Sequence, residues 1–226
     1  MARKLEHDLS DLKDRVLRMG SLVEDAIRKS IKALVERDRA LALSVIDGDH
    51  VINTYDVEIE EECIRLLAIW QPTGSNLRFI TTAIKIITDL ERMGDLAVDI
   101  CERTIELMEE PQLKPYIDIP RMAEAAQKML KDSLDAFVAK DPDGAMKVCE
   151  ADDFVDNLNQ QIFNELLMFM LQDPKNISRA VRLTYVAKYL ERVGDHATNI
   201  AEMVVYMVKG KVIRHMACEM REPEVK

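Results

Sequence analysis

The chain has 226 residues, of which 48% are apolar and 32% charged, with only 7 Gly and 7 Pro. That length suits one or two domains with a sizeable core, and breakers this scarce point to a helical globular chain. A net charge of −10 argues against nucleic acid as the main partner, which would need a basic face, and favours cations and basic protein surfaces.

In chain order, apolar residues at Leu5, Leu9, Leu12, Val16, Met19, Val23, Ile27 and Ile31 recur at helical spacing and predict a first helix over 5–36. Its first residues are charged throughout and contain no apolar run of the kind a secretory signal needs. Asp38 is expected to cap a second helix that ends near Trp70, before Gln71-Pro72 and Gly74. Trp70 is expected to anchor the bundle. A third helix is predicted over 75–110, broken by Pro111 and Pro115. The pattern then restarts: a fourth helix over 122–139, and a fifth opened by Asp141 with Pro142 at its first position and closed by Asp173-Pro174. A sixth helix is expected over 175–209, stopped by Gly210. Residues 211–226 lack periodicity and read as a frayed tail. No apolar stretch approaches the length of a membrane span. Cysteines at 63, 101, 149 and 218 form no CxxC pair, which suits a reduced cytoplasmic protein rather than a disulfide framework.

The second half repeats the first. Residues 90–100 read LERMGDLAVDI and residues 190–200 read LERVGDHATNI. ALVERD at 33–38 aligns with AFVAKD at 136–141, Asp49 with Asp152, and Pro72 with Pro174. A repeat at this scale means a duplicated structural unit. The expected fold is all-α: two pseudo-repeated antiparallel three-helix bundles, over 1–112 and 113–210, with a tail at 211–226.

Acidic residues interrupt the predicted core seams. The second helix carries Val45, Asp49, Ile52, Asp56, Ile59, Cys63 and Leu66 on one stripe, and the fifth carries Val148, Asp152, Val155, Asn159 and Ile162. On the third helix Glu91 and Gly94 lie on the seam, with Asp95 and Asp99 one residue off it; the sixth repeats this with Glu191, Gly194, Asp195 and Asn199. Buried carboxylates need counter-charges, protons or a metal. A glycine inside a helix costs about 1 kcal/mol against Ala, so Gly94 and Gly194 suggest a close helix approach or room for a ligand. Two readings stand side by side. The carboxylates pair with Arg92, Arg103 or Lys85, and with Arg192 or Lys188, as ordinary salt bridges; or the duplicated oxygen sets hold hard or borderline cations. His196 and His50 point away from the motifs and are expected at the surface or in packing. No nucleophile elbow, phosphate loop, dinucleotide loop or zinc-protease motif occurs, so nothing marks an enzyme.

The paired E-R-x-G-D-x-A-x-[DN]-I motif, on the third helix of each unit, resembles the PhoU family over about 5–209. HDLSDLKDRVLRM at 7–19 and ALVERD at 33–38 also look like that family. The resemblance implies a cytoplasmic negative regulator of phosphate uptake and phosphate-starvation signalling. It implies as partners the nucleotide-binding subunit of a phosphate ABC transporter and a sensor histidine kinase, with homodimers, and without nucleic acid or membrane insertion. It implies metal at Glu91, Asp95 and Asp99 and at Glu191, Asp195 and Asn199. Asp49, Asp56, Asp152 and Asp156 on the facing helices are added to that set. Iron, manganese, magnesium or zinc would suit it, and Asn199 in place of Asp99 is expected to weaken the second site. The alternative is a carboxylate-bridged metalloenzyme of the helical-bundle type, against which stands the lack of any Glu-x-x-His in either motif.

Overall fold

The computed structural model describes residues 2–211, and the predicted tail lies outside them apart from Lys211. Six long helices account for nearly all of the described chain: α1 (Ala2–Glu36), α2 (Arg39–Trp70), α3 (Gly74–Leu107), α4 (Asp118–Ala139), α5 (Pro142–Gln172) and α6 (Ile177–Lys209). The expected all-α fold is observed, with no strand among the described residues. The ends differ where local chemistry differs. Helix α3 stops at Leu107, short of the prolines, and α4 begins earlier than the apolar pattern, at Asp118. Pro174–Asn176 form a single 3-10 turn ahead of α6.

The helix starts follow from capping. Asp38 accepts from Leu41 N at 2.9 Å, and Asp141 accepts from Asp143 N at 3.0 Å. Each satisfies one of the backbone donors that a helix start leaves open. Just before each cap, Arg37 and Lys140 take left-handed backbone, with φ of 54° and 52°. The two halves therefore turn their first corner the same way. Ser30 and Ser133, buried at equivalent places in α1 and α4, bond back to Ile27 O and Leu130 O.

Helices α1–α3 pack mutually, as do α4–α6, and the halves meet through α3 against α6 and α1 against α4. The result is a layer in the order α2, α3, α6, α5, with α1 and α4 behind it. Because α3 has neighbours on three sides, it is buried far beyond the single stripe the sequence suggested. Asp89, Met93, Leu96 and Ile100 are covered along with Ile80, Ile87 and Gly94. At the α1–α4 crossing Gly20 lies under Leu134, whose Cδ1 sits where a Cβ would be.

The connection between the halves is held by arginines. Arg37 donates to Leu107 O (3.1 Å) and Glu110 O (2.7 Å), and Arg179 donates to Pro111 O (2.9 Å). Arg182 pairs with Glu106 at 2.9 Å and Glu110 at 3.2 Å, and Lys114 pairs with Glu165. Trp70 anchors the far end of α2 as expected, its Nε1 donating to Asp8 of α1 at 2.9 Å.

Candidate metal centres

The heptad-like stripe on α2 sets Asp49 and Asp56 toward α3, and the motif on α3 sets Glu91 and Asp95 toward α2. These four are electrostatic neighbours: Glu91 feels Asp95, Asp56 and Asp49, and Asp49 feels Asp95. The second half repeats the arrangement with Asp152 and Asp156 on α5 and Glu191 and Asp195 on α6. The glycines explain how the carboxylates come so close. A Cβ on Gly94 would lie 3.2 Å from Asp49 Oδ1, and one on Gly194 would lie 3.2 Å from Asp152 Oδ1. Each glycine is thus the floor beneath a carboxylate on the neighbouring helix.

Burial pushes Asp49, Asp56, Glu91, Asp99, Asp156 and Asp195 above the ordinary carboxylate range, and neighbouring carboxylates add to the rise. Asp152 is the extreme case. Desolvation first, then Asp156, Asp195, Glu191 and Asp153, push it from 3.8 to about 7. Asp49 Oδ1, Asp152 Oδ1 and Glu191 Oε2 are buried atoms without a hydrogen-bond partner. Such atoms want a proton or a cation.

The salt-bridge reading is realised in part. Arg92 pairs with Glu91 (3.4 Å) and Asp95 (3.3 Å), and Lys188 pairs with Glu191. One base beside each cluster leaves each carboxylate set net acidic.

Asp99 and Asn199 sit apart from the facing stripes. Asn199 Nδ2 reaches Asp89 Oδ1 across the α3–α6 seam at 3.4 Å, and Asp99 has Arg103 and Arg192 near it as well as Asp95. The Asn199 side chain is thus turned to the other half. Sequence reading also missed Asp89, which is only 8% exposed and takes His196 Nδ1 at 2.8 Å. His196 is thus neither ligand nor plain surface: it ties α6 to α3. His50 is exposed and bonds Asp47 O at 2.6 Å. Burial pushes the Cys63 and Cys101 thiols up to about 12, so both stay as neutral packing groups.

Among the described residues no three His, Cys, Asp or Glu side chains converge on one point as a finished metal cage. The donor chemistry nevertheless fits a hard cation: oxygen ligands, orphaned buried carboxylate atoms, and glycine floors that keep the space open.

The family model described as the PhoU domain matches residues 16–104 and again 119–204. A protein of Aquifex aeolicus named as a phosphate-specific transport system accessory protein PhoU homolog is 45% identical, over 94% of this chain and 96% of that one. The crystal structure of PhoU from Pseudomonas aeruginosa superposes with a TM-score of 0.87 at 39% identity, covering 91% of this chain and 99% of that one. The structure of the phosphate transport system regulatory protein PhoU from Streptococcus pneumoniae gives 0.86 at 30% identity, over 92% and 98%. This chain belongs to the PhoU family.

Proposed function

We propose that this member of the PhoU family is a non-catalytic, cytoplasmic regulatory accessory of phosphate transport. It docks on the nucleotide-binding subunit of a phosphate ABC transporter and on a sensor histidine kinase, and keeps phosphate-starvation genes off when phosphate is plentiful. One observation carries the reading: both halves match the family, and relatives covered along nearly their whole length bear the name of transport accessory proteins. The physics is compatible with it. Long helices present extended faces for protein docking. No described helix is long and apolar enough to cross a membrane, and a charge of −10 disfavours adsorption to an anionic bilayer, so membrane association would run through a protein partner.

In the same reading Asp49, Asp56, Glu91 and Asp95 hold a cation in the first half, and Asp152, Asp156, Glu191 and Asp195 hold one in the second. Asp99 and Asn199 stand one turn further along, on the α3–α6 side. An iron, manganese, magnesium or zinc ion there would supply positive charge that neutralises the carboxylates. The protein side of the site is the positioning: glycine floors at 94 and 194, and paired helices held at fixed separation by the apolar seams.

The regulatory part is tested by deletion of the gene. Phosphate-starvation genes should then stay expressed in high phosphate, and the intact chain should silence them again. Normal repression in the deletion strain, with no transporter subunit recovered alongside the tagged protein, would remove the regulatory reading. The metal part is tested by elemental analysis of protein purified without chelator. Asp95→Ala and Asp195→Ala should each remove about half of the bound metal, because each bundle has its own carboxylate set. A double variant that retains the wild-type metal content would show that these are not the ligands.

A further inference from the structure

A cavity of about 210 Å³ lies between α1, α2 and α3. It exists because three of its wall residues have little or no side chain: Ala26 on α1, Gly48 on α2 and Gly94 on α3. A Cβ added to Gly48 would meet nothing within 4 Å. Most of the remaining wall is apolar, with Val45, Ile52 and Val98 prominent. The second half treats the same place differently. Along the repeat Ala26 corresponds to Met129 and Gly48 to Ala151. Met129 is buried, and its Cε comes within 3.8 Å of where a Cβ on Gly194 would be. At Gly94 the three atoms nearest that point all belong to α2. The thioether that plugs one half therefore has no counterpart in the other.

The polar groups of the wall show which ligand suits it. Asp25 and Lys29 stand at the rim and pair with each other at 2.6 Å. The Ser44 hydroxyl is spent on Leu41 O at 2.7 Å. Asp49 is different. Its Oδ2 takes the Asn53 amide at 2.8 Å, but Oδ1, which lies against Gly94, is buried and has no hydrogen-bond partner. The charges that act on Asp49 are Asp95, of the same sign, and the exposed His50. An uncompensated carboxylate in the wall favours a cation that carries hydrogen-bond donors, and the apolar surroundings favour an organic one. A cavity of roughly 150 Å³ takes benzene, so this one suits a body of about six to ten heavy atoms.

We propose that the first half of this chain binds a small organic amine in the cavity between α1, α2 and α3, with its apolar body against Ala26, Val45, Ile52 and Val98 and its ammonium donating to Asp49 Oδ1. A turn of the carboxylate toward the cavity makes that bond, and Oδ1 has no other partner to give up. The second half, with Met129 in the way, takes no amine there. The site needs no metal and stands or falls apart from the cation reading above. Asp49 belongs to both, so an amine and a metal ion compete for it. A ligand this small binds modestly, with a dissociation constant on the order of 0.1–1 mM.

Methyl NMR spectra of the full chain, in chelator at about pH 8 where carboxylate and amine are both charged, test this with benzylamine and its neutral counterpart benzyl alcohol. Benzylamine should shift the Val45, Ile52 and Val98 methyls and saturate below about 10 mM. Benzyl alcohol should bind at least ~tenfold more weakly, for want of the charge-assisted bond. Ala26→Met, which sets the second half's residue into the first, should weaken benzylamine at least ~tenfold by filling the space, with an unchanged circular dichroism spectrum. Asp49→Asn should bring benzylamine down to the level of the alcohol. No shift at these methyls, equal binding of amine and alcohol, or binding indifferent to either substitution would each overturn the proposal.

Discussion

Replacing Asp152 by Asn should stabilise the metal-free protein while weakening cation binding. Asp152 is held at about 7 against an unfolded value near 3.8. Its folded value is raised, so folding binds an extra proton between pH 4 and 7. Stability from this group is then greatest below about pH 4 and is lost as pH rises toward and through 7. Three units correspond to roughly 4 kcal/mol at full effect. The side chain is only half-buried, so solvent screening reduces this to about 1–2 kcal/mol. For a chain of this size that is a rise in Tm of roughly 2–8 °C for Asp152→Asn at pH 8. Thermal melts in chelator at pH 5 and pH 8 measure it. The wild type should melt higher at pH 5 than the burial of its other groups alone would give, and the variant should show a shallower fall with pH. The slope should not vanish, because Asp49, Asp56, Glu91, Asp156 and Asp195 are raised in the same direction. A variant that is less stable than wild type at pH 8, or one with an unchanged pH slope, would refute the account of Asp152 as an unpaired buried charge.

Gly94→Ala and Gly194→Ala should differ, although they are equivalent in the repeat. At 94 the new methyl meets Asp49 and two Ile52 atoms at 3.2–3.3 Å, whereas at 194 only the movable Asp152 carboxylate is that close. Gly194→Ala should be neutral or gain up to ~1 kcal/mol of helix propensity, while Gly94→Ala should lose stability; equal denaturant midpoints would contradict this. Gly20→Ala should cost about 1–3 kcal/mol, since Leu134 Cδ1 lies 2.3 Å from the new Cβ; a rise in Tm would show that Leu134 swings clear at no cost. Asp89→Ala strips His196 and Asn199 of their shared acceptor and should cost about 1–3 kcal/mol in urea unfolding. An unchanged midpoint would mean that the bond between the halves contributes nothing.

The parts of the fold legible in the sequence were the local ones. Helical spacing, the Asp38 and Asp141 caps, and the pairing of 90–100 with 190–200 all depend on residues a few positions apart or on simple self-similarity. So did the placing of Asp49 opposite the Glu91 motif, because a seam on α2 has only one direction to face. What could not be read was how the two halves sit together. The acceptor role of Asp89 is set by His196, 107 positions away, and by the fact that α3 is covered on three sides. The side on which Asp99 and Asn199 lie was hidden likewise, since it depends on whether α6 or solvent lies beyond α3. The arginine clamp on the linker was invisible for a related reason. Arg37, Arg179 and Arg182 bond backbone carbonyls or distant acids whose positions follow from the packing.

The different proton affinities of Asp49 and Asp152 come from their own helices, α2 and α5. By the alignment of Asp49 with Asp152, Asn53 corresponds to Asp156 and Asp56 to Asn159, so acid and amide exchange places. In the first half the Asn53 amide donates to Asp49 Oδ2 at 2.8 Å and opposes the rise of its pKa. In the second half Asp156 adds a like charge, and Asp152 rises to about 7. Protons compete with a cation for the same oxygens, so the second set should lose its cation at a higher pH than the first. The Asp95→Ala variant leaves only the second set intact, and Asp195→Ala leaves only the first. Metal content of the two measured between about pH 5 and 8 should fall earlier on acidification in the Asp95→Ala protein. Identical profiles, or an earlier loss from Asp195→Ala, would mean that the Asn53 and Asp156 exchange does not set the difference between the halves.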